Sequence, residues 1–231
     1  MSSLLKRHTL VWLREPGWRD AIAALAPPLR QVPLRWQARD WPAVVRRQDA
    51  DASADQVCLG IALPPDANGV KLRVPLRVAA AEVRELRAPL DIGAVVTHAL
   101  PAWRAALVEL QYKAMAQALD LRVYGSLALQ ALTGLDYLRA SSDIDVLFTP
   151  GNRFQLERGV RLLTEYAQRL PLDGEIQFPA GAVAWKEWHR AADNPAARVL
   201  LKRRDDVILM RVDDILAGNA LMQAEVSACL L

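Results

Sequence analysis

Two acidic residues in a short apolar segment are the first candidates for chemistry. Asp143 and Asp145 belong to the sequence Asp-Ile-Asp-Val-Leu-Phe over residues 143–148. If this segment is a β-strand, both carboxylates face one way, and Ile144 and Val146 face a core. Carboxylates about 7 Å apart on one strand repel each other unless a cation neutralises them. Mg²⁺ prefers one or two carboxylates with water and substrate phosphates, so the segment predicts a Mg²⁺ site.

A glycine-serine pair upstream is the second candidate. Gly125 and Ser126 lie between a predicted strand over residues 121–124 and a predicted helix over residues 127–135. Glycine lets a phosphate approach the backbone, and a helix N-terminus presents free N–H groups with a favourable dipole. An ordinary turn explains the glycine alone, and a solvated strand face explains the aspartates alone. Both features in this order, with a helix between them, favour a metal and phosphate site.

Periodicity in the second half of the chain predicts the elements that position these residues. Apolar residues recur at steps of three and four after Pro101 and again after Asn152, a plausible N-cap, which predicts two amphipathic helices. Pro171 ends the second helix, and Asp173-Gly174 is interpreted as a turn. The predicted strands are residues 121–124, 142–148 and 175–178, followed by a hairpin of residues 199–202 and 207–211.

The first half is rich in proline and in short apolar runs. It predicts strands over residues 41–47, 56–63 and 70–78, and short helices over residues 20–25 and 80–86. We therefore predict an α+β protein with an N-terminal α+β domain over residues 1–90 and a second domain over residues 91–231.

Composition narrows the class of protein without fixing its function. The chain has 231 residues, of which 52% are apolar and 24% charged, as expected of a packed globule. No apolar run is long enough for a membrane span or a signal peptide, and the two cysteines lack metal-ligand spacing, so we predict a cytoplasmic protein. The net charge of +3 fits nucleic acid, a polyphosphate ligand or an acidic protein, and is too small to choose among them.

These motifs together resemble the nucleotidyltransferase superfamily, whose signature is a Gly-Ser pair, a helix and an Asp-x-Asp strand. The resemblance implies a mixed β-sheet flanked by helices, bound Mg²⁺, and a third carboxylate on a later strand. Glu175 is our first choice for that carboxylate, and Asp173 is the alternative. The gap of sixteen residues between Ser126 and Asp143 is longer than in many members.

The wider pattern resembles one family within that superfamily, the malonate decarboxylase holo-acyl-carrier-protein synthases, also called phosphoribosyl-dephospho-CoA transferases. The segments that carry the resemblance are residues 7–8, 41–47, 59–64, 124–128, 141–147, 173–175 and 182–187. It implies transfer of a prosthetic group from triphosphoribosyl-dephospho-CoA to a serine of the decarboxylase's acyl carrier subunit, with release of pyrophosphate. No membrane or nucleic-acid partner is expected.

The resemblance implies roles for named residues. Asp143, Asp145 and Glu175 are expected to hold Mg²⁺, while Gly125 and Ser126 grip a terminal phosphate. The cations predicted to hold the rest of the triphosphate are Lys186, Lys202 and Arg47. A solvated surface charge is the alternative for each lysine, and Arg46 is the alternative to Arg47, because strand alternation puts only one of the two arginines on a given face. Trp185 and Trp188 fit a core better than an adenine-stacking site.

Two other functions remain open at this stage. A nucleotidyltransferase with another acceptor, such as a small molecule or an RNA end, would keep the same carboxylates. A non-catalytic module would bind a nucleotide or a partner without releasing pyrophosphate.

Overall fold

A computed structural model describes residues 5–218 of the chain. The chain divides into two compact units. Of the described residues, the first unit comprises those up to Pro89 together with Leu132–Tyr137, and the second comprises Leu90–Ala131 and residues 138–218. Within the described residues, no helix is both long and apolar enough to cross a membrane. The predicted α+β class is confirmed, because each unit combines helices with a sheet.

The first unit is built on a five-stranded antiparallel sheet of order β4-β3-β2-β1-β5. Its strands are β1 (Leu10–Leu13), β2 (Ala43–Val45), β3 (Gln56–Ala62), β4 (Arg73–Ala79) and β5 (Val83–Arg87). Helices α1 (Glu15–Ala23) and α2 (Gln31–Ala38) contribute Trp18 and Trp36 to a core with the alternate residues Val57, Leu59 and Ile61 of β3. Alternation along β4 is regular, with Val74, Leu76 and Val78 buried.

One predicted element of this unit is wrong. Residues 80–86 do not form a helix, because Ala80–Glu82 is a single 3₁₀ turn and Val83–Arg87 is strand β5. The reason lies far away in the chain, where the apolar run Leu10–Leu13 forms the fully buried strand β1. A buried strand needs hydrogen-bonding partners on both sides, and β5 supplies the second side. This tertiary pairing overrides the weak helix propensity of the segment.

The second unit is built on a seven-stranded mixed sheet of order β12-β11-β10-β9-β8-β7-β6. Its strands are β6 (Leu90–Asp91), β7 (Asp120–Tyr124), β8 (Ile144–Thr149), β9 (Leu172–Phe178), β10 (Gly181–Ala184), β11 (Arg198–Lys202) and β12 (Val207–Arg211). Its helices are α3 (Ile92–Val95), α4 (Pro101–Ala116), α5 (Gly125–Thr133), α6 (Arg153–Tyr166), α7 (Trp185–Ala191) and α8 (Val212–Ala217). The predicted helix from Pro101 and the predicted hairpin are confirmed, and so is the N-cap, since Asn152 Oδ1 accepts a hydrogen bond of 2.8 Å from the Gln155 N–H.

The two faces of this sheet differ in chemistry. On one face, Val123, Val146, Ile176, Val183 and Val199 join the helices in the hydrophobic core. Because side chains alternate along a strand, the residues one position away point to the opposite face. That opposite face, here called the polar face, carries these residues among others: Tyr124, Asp145, Leu147, Asp173, Glu175, Gln177, Arg198, Leu200, Lys202, Leu209 and Arg211.

The predicted turn at Asp173-Gly174 is also wrong. Both residues lie inside β9, which pairs in parallel with β8. Gly174 has a φ of 126°, and a Cβ built on it would lie 1.9 Å from the Val146 carbonyl oxygen. Glycine is therefore required here by the close approach of the neighbouring strand, a requirement that the sequence does not distinguish from a turn.

Candidate functional site

The predicted glycine-serine motif lies at the junction of β7 and α5, beside Asp145. Strand β7 ends at Tyr124, whose register partner on β8 is Asp145, and α5 begins at Gly125. Gly125 has a φ of +68°, and a Cβ added to it would lie 2.0 Å from Asp145 Oδ2. The backbone of the turn therefore lies directly against the carboxylate. A glycine is needed at this position both for its conformation and for its lack of a side chain.

A second carboxylate lies beside Asp145 on the next strand. In the parallel register of β8 and β9, Asp145 is the Cα partner of Asp173. Adjacent strands are about 4.8 Å apart, and register partners point to the same face, so these two carboxylates are neighbours on the polar face. Asp173, the alternative left open by the sequence, is therefore the acidic residue of β9 in register with Asp145.

Glu175, our first choice for that role, has a different environment. Its register partner on β8 is Leu147, one row further along the sheet. Its side chain is only 4% exposed, and Oε1 lies 2.8 Å from Lys202 Nζ on β11. A buried carboxylate requires a compensating cation, and Lys202 provides it. Glu175 is thus paired with a lysine, whereas Asp173 is the register partner of Asp145. Metal binding by Glu175 stays a prediction.

The other residues of this unit for which the sequence predicted a role differ in exposure and in location. Asp143 is exposed and lies one residue before β8, so strand alternation does not fix the direction of its carboxylate. Lys186 is exposed on α7, with Nζ 3.6 Å from Asp173 Oδ1. Trp185 and Trp188 are both buried in the core, and the Trp188 ring packs 4.8 Å from that of Phe178. The interpretation of these tryptophans as core residues is confirmed.

Arg47 lies in the first unit, exposed, two residues after the end of β2. Its neighbour Arg46 is engaged in a structural network, with Nη1 and Nη2 donating to the two oxygens of Asp49 at 2.5 and 2.6 Å. Arg77 Nε donates to the same carboxylate at 2.8 Å. The hydrogen bonds from Arg46, and after them those from Arg77, hold the pKa of the Asp49 carboxyl well below its usual range. Substrate binding by Arg47 stays a prediction.

The donor set of the polar face suits a hard divalent cation and a phosphate. Asp145 and Asp173 offer carboxylate oxygens, and Mg²⁺ takes one or two of these while keeping water and substrate phosphates as its other ligands. Residues 5–218 contain no cluster of three or more His, Cys, Asp or Glu side chains that would form an all-protein metal cage. The N-terminus of α5, with Ser126 buried beside Gly125, adds backbone N–H groups for an anion.

This combination of a Gly-Ser turn, a helix and paired strand carboxylates is that of a nucleotidyltransferase-type transferase. Comparison with known families agrees. The family model described as "Phosphoribosyl-dephospho-CoA transferase MdcG C-terminal domain" matches residues 85–213, and that of the corresponding N-terminal domain matches residues 6–89. The chain therefore belongs to the phosphoribosyl-dephospho-CoA transferase family.

Curated relatives of this chain carry the same name. A phosphoribosyl-dephospho-CoA transferase of Xanthomonas campestris pv. campestris (strain 8004) is 41% identical over 207 residues, covering 88% of this chain and 93% of the relative. Another, from Bradyrhizobium diazoefficiens, is 35% identical over 218 residues and covers 92% of each chain. A third, from Pseudomonas aeruginosa, is 33% identical and covers 74% of this chain and 78% of the relative. No solved structure matches the chain.

Proposed function

We propose that this protein transfers the phosphoribosyl-dephospho-CoA group from 2'-(5-triphosphoribosyl)-3'-dephospho-CoA to a serine of the acyl carrier subunit of malonate decarboxylase. Family membership supports the donor, since the relatives are named for that group. The observation that carries the chemistry is the contiguous row formed by Gly125 at the start of α5, Asp145 on β8 and Asp173 on β9. The row combines an anion-binding backbone with carboxylates for a divalent cation.

The reaction is a substitution at phosphorus. The serine oxygen forms a bond to the phosphorus attached to the ribose, the bond from that phosphorus to the next phosphate breaks, and pyrophosphate leaves. The serine proton passes to a carboxylate of the site or to water. Such a transfer needs alignment and charge neutralisation more than covalent participation by the protein. Gly125 and Ser126 orient the triphosphate through backbone N–H groups at the start of α5.

Asp145 and Asp173 are proposed to hold Mg²⁺, with Asp143, two residues before Asp145, as a further oxygen ligand. When bound there, Mg²⁺ neutralises charge on the triphosphate and favours ionisation of the acceptor hydroxyl. Because Gly125 has no Cβ, the phosphate-binding turn can lie in contact with the Asp145 carboxylate.

Two lysines supply positive charge along the same face. Lys186 Nζ lies 3.6 Å from Asp173 Oδ1, and the lysine side chain is half exposed. Lys202 is held by the buried Glu175, and its side chain remains 30% exposed. We assign both to the triphosphate, because each keeps an exposed part of its side chain that phosphate oxygens can approach from solvent. Arg47 is also proposed to bind the triphosphoribosyl-dephospho-CoA substrate, as the sequence pattern predicts.

The donor, the acceptor and Mg²⁺ are tested together by intact-mass spectrometry of the apo carrier subunit after incubation with the enzyme. The expected result is one added phosphoribosyl-dephospho-CoA group, dependent on Mg²⁺ and abolished when the acceptor serine is replaced by alanine. Pyrophosphate release with other acceptors, but no mass increase of the carrier, would reassign the acceptor. Donor binding with neither product would make the protein a non-catalytic module.

A cytoplasmic location is part of this proposal. Cys58 is a buried free thiol, which suits a reducing compartment.

A further inference from the structure

The terminal hairpin carries an exposed patch that the proposed chemistry does not use. Leu200 on β11 and Leu209 on β12 are register partners on the polar face and are 44% and 61% exposed. Arg198 and Arg211, the next register pair on the same face, are also exposed. These four residues are here called the hairpin patch. An apolar centre beside a pair of arginines is the composition of a protein-binding surface.

The arginine pair has an electrostatic cost within the isolated chain. Like charges directly opposite each other on neighbouring strands repel and destabilise the sheet. In the part of the chain that the structure describes, neither Arg198 nor Arg211 forms an ion pair with a carboxylate. By contrast, Arg203 in the adjoining loop is neutralised by Asp206. An acidic partner would relieve the repulsion at the hairpin patch.

The hairpin patch lies on the same face of the sheet as Asp145 and Asp173. Leu200 is two residues before Lys202 on the same strand and the same face, and Lys202 contacts Glu175 of β9. Strand β11 lies two strands from β9, and β12 lies three strands from it. At about 4.8 Å per strand, the patch begins about 10 Å from the strand of Asp173 and ends about 14 Å from it. A partner seated on the patch can therefore present a side chain to the phosphate site.

We propose that the hairpin patch docks the protein acceptor through an acidic surface with an apolar centre. This inference rests on the proposed function, under which that acceptor is the carrier subunit. Acidic groups of the carrier pair with Arg198 and Arg211, and its apolar residue covers Leu200 and Leu209. The patch contributes to recognition of the acceptor only, because the carboxylates and the turn at Gly125 bind the donor.

Charge reversal tests this assignment. The rate of carrier modification is measured for the wild-type enzyme and for Arg198→Glu/Arg211→Glu. The concentration of the apo carrier is varied in one series and that of the donor in another. We expect the KM for the carrier to rise about 10-fold at low salt, a typical loss when electrostatic steering is removed. The KM for the donor stays within about twofold, and the difference between the enzymes shrinks in about 0.5 M salt.

Matched variants keep the test independent of folding and of net charge. Arg104→Glu/Arg161→Glu reverses two exposed arginines on α4 and α6, the same change in net charge, and should leave the KM for the carrier unchanged. Arg198→Gln/Arg211→Gln should give an intermediate rise. Equal thermal melting of all variants shows that they are folded. Wild-type modification of the carrier with an unchanged KM in Arg198→Glu/Arg211→Glu would overturn the docking surface. A rise in the KM for the donor instead would also overturn it, by assigning the arginines to the donor. Failure of the wild type to modify the carrier would refute the proposed function itself.

Discussion

The Glu175–Lys202 pair gives the sharpest prediction about stability, because its two members differ in burial. Lys202→Met removes the ammonium that neutralises a carboxylate only 4% exposed. Removing one partner of a buried ion pair costs about 3–5 kcal/mol, and we expect Lys202→Met to cost about 3 kcal/mol because Glu175 is buried. Glu175→Gln leaves an ammonium whose side chain is 30% exposed and still hydrated. It should therefore cost less, about 1–2 kcal/mol.

The assay is a double-mutant cycle on the free energy of unfolding, measured by urea titration of the full chain. The double variant Glu175→Gln/Lys202→Met should be more stable than Lys202→Met alone, since no buried charge remains. Lys186→Met is the matched control and should cost less than about 1 kcal/mol, because both members of its pair are half exposed. Equal losses for Lys202→Met and Lys186→Met, or strict additivity in the cycle, would show that Glu175 does not depend on Lys202 for neutralisation.

Three further predictions concern single contacts. Gly125→Ala should slow carrier modification about 100-fold, because the new Cβ displaces the Asp145 carboxylate. Gly134→Ala is the control and should leave the rate unchanged, because Gly134 also has a positive φ but has open space around it. Equal rates for the two variants would contradict the proposed site. Asn152→Ala should lower the free energy of unfolding by about 1 kcal/mol through loss of the cap on α6, and an unchanged urea midpoint would show that the cap is not needed. Burial raises the pKa of Tyr137 to about 12, and its hydroxyl donates to the Ala62 carbonyl at 2.7 Å. The folded state favours the neutral phenol. The resulting stabilisation of the fold is fully present below the ordinary tyrosine pKa of about 10, and it is lost as pH rises through the pKa of Tyr137 in the folded protein. Absorbance titration of wild type and Tyr137→Phe should assign the late-titrating tyrosine, and a single early transition for all tyrosines would contradict its burial.

The elements that position the site were largely predictable from local pattern. Helix α4 from Pro101, the cap at Asn152 and the terminal hairpin follow from apolar periodicity and from residues with strong positional preferences. The proximity of Gly125 to Asp145 was inferred only from motif order, and the register of β7 and β8 explains it.

The acidic neighbour of Asp145 was harder to predict because β9 carries two acidic residues on one face. Asp173 and Glu175 share the polar face of β9, and only the parallel register with β8 decides which of them lies beside Asp145. The sequence also misled at Gly174, since glycine after aspartate usually indicates a turn. Here the glycine admits the Val146 carbonyl, a contact between residues 28 positions apart. The same limitation explains strand β5, whose pairing with β1 is not encoded locally.

If the Gly125–Asp145–Asp173 row catalyses transfer of the phosphoribosyl-dephospho-CoA group to a carrier serine, both carboxylates are required for pyrophosphate release. Single-turnover pyrophosphate release is measured with Mg²⁺, donor and apo carrier, comparing wild type with Asp145→Asn and Asp173→Asn. We expect carrier-dependent release by the wild type and a loss of about 100-fold or more in each variant, with donor binding retained. Release at the wild-type rate by either folded variant would contradict the account.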